Sequence, residues 1–237
     1  MTQAILWAMA GTGFTFFMTS MGSATVFFFK KEISASIQRI FLGFAAGVMI
    51  AASIWSLLIP AMEEAKSAGQ PEWLAASGGF ILGIAFLMLL DSVLPHLHPG
   101  AKEAEGLSAN WKRTTMLMTA VTLHNIPEGM AVGLSFALAA QSGQGAGYAA
   151  AMALALGMGI QNFPEGAAIS LPLRQEGISR TKSFVYGMLS GIVEPIFGIL
   201  VVLIAGQIGP LMPWLLSFAA GAMMYVVVEE LIPEAHL

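Results

Sequence analysis

The sequence predicts an all-α polytopic membrane bundle. Three observations carry that prediction: hydrophobic residues make up 57% of the 237-residue chain, charged residues make up only 10%, and apolar stretches of spanning length recur along it. Soluble domains carry about 25% charged residues, and a spanning helix needs about 20 mostly apolar ones. The net charge of −4 is too diffuse for a nucleic-acid-binding surface. With no cysteine there are no disulfides and no thiolate metal sites, which leaves oxygen, nitrogen and thioether ligands. The first apolar run is long enough to span, and no small-residue cleavage site follows a short core, so it does not read as a removable leader.

Seven stretches qualify as spans: 4–29, 40–62, 74–94, 114–140, 148–173, 183–205 and 211–232. Breaks fall at Lys30-Lys31-Glu32, Gly69-Gln70-Pro71-Glu72, Pro99-Gly100, Gly143-Gln144-Gly145 and Gly209-Pro210, where turn formers and charges interrupt the apolar runs. Connections one, three and five hold Lys30, Lys31, Arg39, Lys102, Lys112, Arg113, Arg174, Arg180 and Lys182, whereas the even connections hold only Lys66. That bias places the odd connections in the cytoplasm and the N-terminus outside. Residues 1–237 read as a single transmembrane domain.

A six-residue pattern occurs twice within these spans. His124-Asn125-Ile126-Pro127-Glu128-Gly129 lies in the fourth and Gln161-Asn162-Phe163-Pro164-Glu165-Gly166 in the fifth. A charged residue at a membrane helix centre costs about 3 kcal/mol on insertion scales. Two glutamates, each beside a proline and one turn from polar groups, therefore point to a function that uses them, and metal coordination uses every group present. Residues four apart share a helix face, so His124 and Glu128 can hold one ion together, as can Gln161 and Glu165. Asn125 and Asn162 sit three residues before their glutamates on an adjoining face. This spacing suggests a two-ion site bridged by Glu128 and Glu165. Each proline removes a helix hydrogen bond and crowds the carbonyl four residues back, at Leu123 and Ile160. Glu194-Pro195, in the sixth span, repeats the carboxylate–proline pairing and is the candidate further ligand. Hydrogen-bonded helix packing is the competing reading for an isolated amide.

A second repeat pairs Phe44-Ala45-Ala46-Gly47-Val48-Met49 with Phe218-Ala219-Ala220-Gly221-Ala222-Met223, and Leu58-Ile59-Pro60 with Leu231-Ile232-Pro233, one residue out of step. Spans two and seven run in opposite directions, as do spans four and five. Inverted repeats with Gly/Pro-interrupted helices around a midplane site are a signature of secondary transporters. Gly78, Gly79 and Gly83 would let the third span pack closely. Met49 reads as packing or as a nearby thioether ligand.

These motifs resemble those of the ZIP (Zrt/Irt-like) divalent-metal transporter family. The run from Gln161 to Gly166, followed by Ser170-Leu171-Pro172-Leu173-Arg174, is similar to its bacterial GufA-like branch. The resemblance implies an inner-membrane transporter that moves a divalent metal, zinc first, into the cytoplasm through a binuclear midmembrane site. It places His124, Glu128, Gln161 and Glu165 at the transport position, with Met49 nearby. Asn125, Asn162 and Glu194 fall at a companion position that shares both glutamates; some relatives carry aspartate where this chain has Asn162. It implies that spans one, four, five and six shift against the others. The mixed nitrogen and oxygen set also suits Cd²⁺, Fe²⁺ or Mn²⁺.

His96 and His98, in the third connection, read as a metal-contacting loop or as solvated histidines. Asp91, with Glu229, Glu230, Glu234 and His236, reads as a relay for an exiting cation or as interfacial helix ends. The lipid bilayer is an expected partner, and a homodimer stays open. An intramembrane metallohydrolase is a rival reading, but only His124 among the histidines lies within a span. A cation-coupled carrier of an organic solute is another, weakened by the lack of an intramembrane Lys or Arg. If span two matches span seven and span one matches span six, span three lacks a partner. Repeat symmetry and the family resemblance then both call for an eighth span beyond residue 237.

Overall fold

The computed structural model describes residues 2–28, 34–96, 113–143, 145–175, 177–207 and 209–236, and all elements among them are helical. The first span is α1 (Thr2–Ala24) with a 3₁₀ turn, Thr25–Phe27. The second combines α2 (Ala35–Ala51), a π-helical stretch (Ala52–Leu58) and α3 (Ile59–Ser67). Then come α4 (Glu72–Val93), α5 (Arg113–Ser142) and α6 (Gly145–Gln175). The sixth span is split into α7 (Arg180–Ser190) and α8 (Val193–Gln207). The seventh combines α9 (Met212–Val226), a second π stretch (Val227–Leu231) and α10 (Ile232–His236).

Among the described residues, five helical stretches are both long and apolar enough to cross a membrane: Thr2–Phe27, Arg39–Ser67, Glu72–Val93, Arg180–Ala205 and Met212–Leu231. Outside that set, α5 and α6 are the longest described α-helices, at 30 and 31 residues. They carry the paired motifs, whose polar groups lower their hydropathy. Both run unbroken through Pro127, Pro164 and Pro172.

Both copies of the second repeat contain a π stretch just before their prolines. In each, the residue before a proline donates its N–H five residues back, Ile59 to Ile54 O and Ile232 to Val227 O. Widening the helix there accommodates Pro60 and Pro233, whose rings would crowd an ordinary α-turn. The stretch in span two is seven residues long and that in span seven is five. The one-residue slip falls between Met49 and Leu58 in span two and between Met223 and Leu231 in span seven, the intervals that contain these stretches.

Turns close as the glycines predict. Gly69 has φ +69°, and Gly69 N–H bonds Lys66 O (3.0 Å) while Gln70 N–H bonds Ala65 O (2.9 Å). That is a Schellman end, which needs a left-handed residue.

Glycines also set the helix crossings. A Cβ on Gly166 would collide with Thr19 O, and one on Gly22 with Phe163 O, so α1 and α6 touch backbone to backbone. Gly129 and Gly133 bring α5 equally close to Glu194 and Gly198 of α8. Gly79, Gly83 and Gly221 do the same for α4 and α9, as expected of glycines in the third span. The main apolar core lies between these pairs and includes Leu57, Leu134, Phe136, Met158, Leu216 and Met223.

Gly83→Val should therefore force α4 from α9, costing about 1–3 kcal/mol as an overpacked contact. Gly47→Ala should be tolerated and slightly stabilising, because nothing lies within 4 Å of that position and alanine favours the helix by about 1 kcal/mol. Thermal unfolding in detergent checks both: the first variant should melt earlier than the parent protein and the second no earlier.

Candidate functional site

The two motif copies meet where α5 and α6 pack side by side. Gln161 Nε2 donates to Glu128 Oε1 at 2.6 Å, tying the second copy to the first. Asn125 lies beside Glu165, while its Nδ2 donates to Ser190 O at 3.1 Å. His124 and Glu230 are further electrostatic neighbours of Glu165, and Glu165 and Glu194 are neighbours of Glu128. Three carboxylates from α5, α6 and α8 thus share one polar cluster inside an apolar bundle. The structure brings together His124, Asn125, Glu128, Gln161, Asn162, Glu165 and Glu194, all seven residues of the predicted ion positions.

Glu194 owes its place to the break in the sixth span. After Ser190 the helix stops, Gly191 and Ile192 form a turn, and α8 restarts at Val193. Pro195 is tolerated because it sits in the first turn of α8, where backbone N–H groups lack helical partners. The same position lets the positive end of the helix dipole favour the Glu194 carboxylate. The break frees the Ser190 carbonyl, and Asn125 Nδ2 donates to it at 3.1 Å. Glu194 itself is fully buried. Asn162 Nδ2 lies 3.0 and 2.9 Å from its two oxygens, and Thr19 Oγ1 lies 3.4 Å from Oε1.

Oxygens remain over. Asn125 Oδ1, Gln161 Oε1, Asn162 Oδ1, Glu128 Oε2 and Glu165 Oε1 are all buried with no hydrogen-bond donor. An unsatisfied buried acceptor costs about 1–3 kcal/mol, so five from one pair of motifs is a costly concentration of electron-rich atoms. The amides have spent their N–H groups on the protein and kept their oxygens, an arrangement suited to a cation. No group of three His, Asp or Glu side chains among the described residues is disposed to hold a metal in this arrangement. His124 is instead engaged with Glu230 through Nε2.

That contact places Glu230 beside His124 rather than at an exposed helix end. Glu230 is buried, whereas its neighbour Glu229 is exposed. Consecutive helical residues point in different directions, and the π stretch aims Glu230 at α5. Asp91 and His96 form a separate network: His96 Nε2 is 2.9 Å from Asp91 Oδ1, its Nδ1 is 2.8 Å from Leu94 O, and Tyr225 Oη donates to Asp91 Oδ2 at 3.0 Å. His96 is buried rather than solvated. Met49 is buried in the main apolar core, where it packs. His98 and the side chains of Glu234 and His236 lie outside the described residues.

Residue-type reasoning overlooked α1. Thr12, Thr15, Thr19 and Ser23 are fully buried along one face, with Thr19 reaching Glu194 and Ser23 Oγ donating to Gly166 O at 3.2 Å. Their spacing of three or four residues was the available signal.

The sequence profile of the ZIP zinc transporter family matches residues 101–237. The chain is 36% identical to zinc transporter ZIP11 of Homo sapiens, over 99% of this chain and 91% of that protein. It is 38% identical to zinc transporter GufA of Myxococcus xanthus, over 92% and 84% respectively. For zinc transporter ZIPB of Bordetella bronchiseptica the identity is 34%, over 97% and 73%. A helical membrane transporter is the class that fold and site define. This chain belongs to the ZIP zinc transporter family.

Asp91→Ala should remove one partner from each of His96 and Tyr225, costing about 1–3 kcal/mol. Tyr225→Phe, which removes a single hydrogen bond, should cost nearer 1 kcal/mol. Unfolding temperatures in one detergent should fall in that order, and equal values would break the proposed link through Asp91.

Proposed function

We propose that this protein carries zinc across the inner membrane of a bacterium into the cytoplasm, with the N-terminus outside. His124, Glu128, Gln161 and Glu165 hold the ion, Asn125 and Asn162 add amide oxygens, and Glu194 completes the acidic group. The observation that carries this reading is the set of five unpartnered oxygens at the meeting of the two motifs. Each relative compared above is named a zinc transporter, and the donor set of imidazole, carboxylate and amide is compatible with Zn²⁺. Cd²⁺, Fe²⁺ and Mn²⁺ are the competing cargoes for the same donors.

Through Nδ1, His124 can bind an ion while its Nε2 keeps Glu230, which then orients the ring as a carboxylate partner. Nine of the ten basic residues fall on the odd connections, which supports entry from the N-terminal side. We assign transport rather than catalysis, since His124 is the only histidine within a span and histidine-rich catalytic zinc sites have no counterpart here.

Purified protein in liposomes should take up Zn²⁺. Glu165→Ala and Glu128→Ala should each reduce uptake to the level of protein-free vesicles while the protein still elutes as a folded species. Parent-like uptake by Glu165→Ala would remove that residue from the ion path. A panel of divalent cations in the same assay ranks the cargoes.

A further inference from the structure

We propose that Glu194 is a positioning residue rather than a ligand of the cargo, and that each chain binds a single ion. The inference rests on the transport reading above and concerns the second ion position expected from the sequence.

A carboxylate offers about four lone-pair sites. On Glu194, Asn162 Nδ2 lies 3.0 Å from Oε1 and 2.9 Å from Oε2, so it occupies the space between the two oxygens. A metal chelated by this carboxylate would need that same space. Thr19 Oγ1 lies 3.4 Å from Oε1 and shares its one proton with Thr15 O at 3.3 Å. Groups of α1 and α6 therefore flank Glu194 on two sides. Glu128 and Glu165 differ, because each keeps one buried oxygen with no donor.

The contact with Glu194 fixes the Asn162 amide: its nitrogen lies against both carboxyl oxygens and its oxygen turns away. That oxygen, Oδ1, is one of the unpartnered five. Asn125 is arranged alike: its nitrogen goes to Ser190 O at 3.1 Å, and its Oδ1 has no donor. Glu194 and the Ser190 carbonyl, on either side of the break between α7 and α8, therefore fix both amides with their oxygens free for one ion. Groups that orient ligands in this way govern affinity without touching the metal.

Zn²⁺ binding to the full chain in detergent, by equilibrium dialysis with metal quantification, tests the proposal. The parent protein should bind one ion per chain. Glu194→Gln should also bind one, about 10–100-fold more weakly, and its zinc-edge X-ray absorption should show the same number of oxygen and nitrogen neighbours. Asn162→Asp replaces the donor with a second carboxylate facing Glu194 and should raise the stoichiometry to two. It also serves if Glu194→Gln does not fold. Two ions in the parent protein, falling to one in Glu194→Gln, would overturn the proposal while leaving the transport reading intact. Unchanged affinity in Glu194→Gln, or a single ion in Asn162→Asp, would also overturn it. A parent protein that binds no divalent cation would overturn the transport reading with it.

Discussion

Burying three carboxylates in an apolar bundle is the constraint on which the rest of this structure depends. Glu128, Glu165 and Glu194 lie on three helices and within electrostatic reach of one another. Like charges at close range repel, and burial strengthens that repulsion. The protein answers with amides of the second motif copy, with the hydroxyls of α1 and with the N-terminus of α8. What it leaves uncompensated is a small group of oxygens, and a divalent cation is the species that would satisfy them together.

The motif glycines show how tightly the solution is built. Gly129, next to Glu128, lies against the backbone of Glu194, and Gly166, next to Glu165, lies against the backbone of Thr19. Under the inverted repeat, α5 meets the sixth span as α6 meets the first, which makes Thr19 the counterpart of Glu194. These two counterparts touch each other. The symmetry is kept in the backbone and broken in the side chains, with a carboxylate on one side and a hydroxyl on the other. A near-symmetric scaffold therefore holds an unsymmetric site.

Interrupted helices serve two purposes here. In the sixth span the break supplies a helix N-terminus for Glu194 and a free carbonyl for Asn125. In spans two and seven the helix widens without breaking, and the widened turn of span seven delivers Glu230 to His124. Backbone groups freed inside a membrane protein must find partners within it, and the Ser190 carbonyl finds one in a residue of the site. Irregular backbone and functional chemistry therefore occur together for a physical reason.

The sequence by itself determined the helical class, the positions of the spans, the glycine-bearing packing faces and the residues of the two motifs. Each is encoded locally: apolar length defines a span, helical period places residues on a face, and a buried charge marks a site. Tertiary structure alone decided which amide serves which glutamate, that Glu230 reaches His124, and that Met49 packs in the core. It also decided that Thr19 of α1 reaches Glu194 and that His96 closes on Asp91. Those outcomes depend on distances between side chains far apart in the chain, such as Thr19 and Glu194 or Gln161 and Glu128. Helical period says which residues share a face, but it cannot say which helix that face will meet.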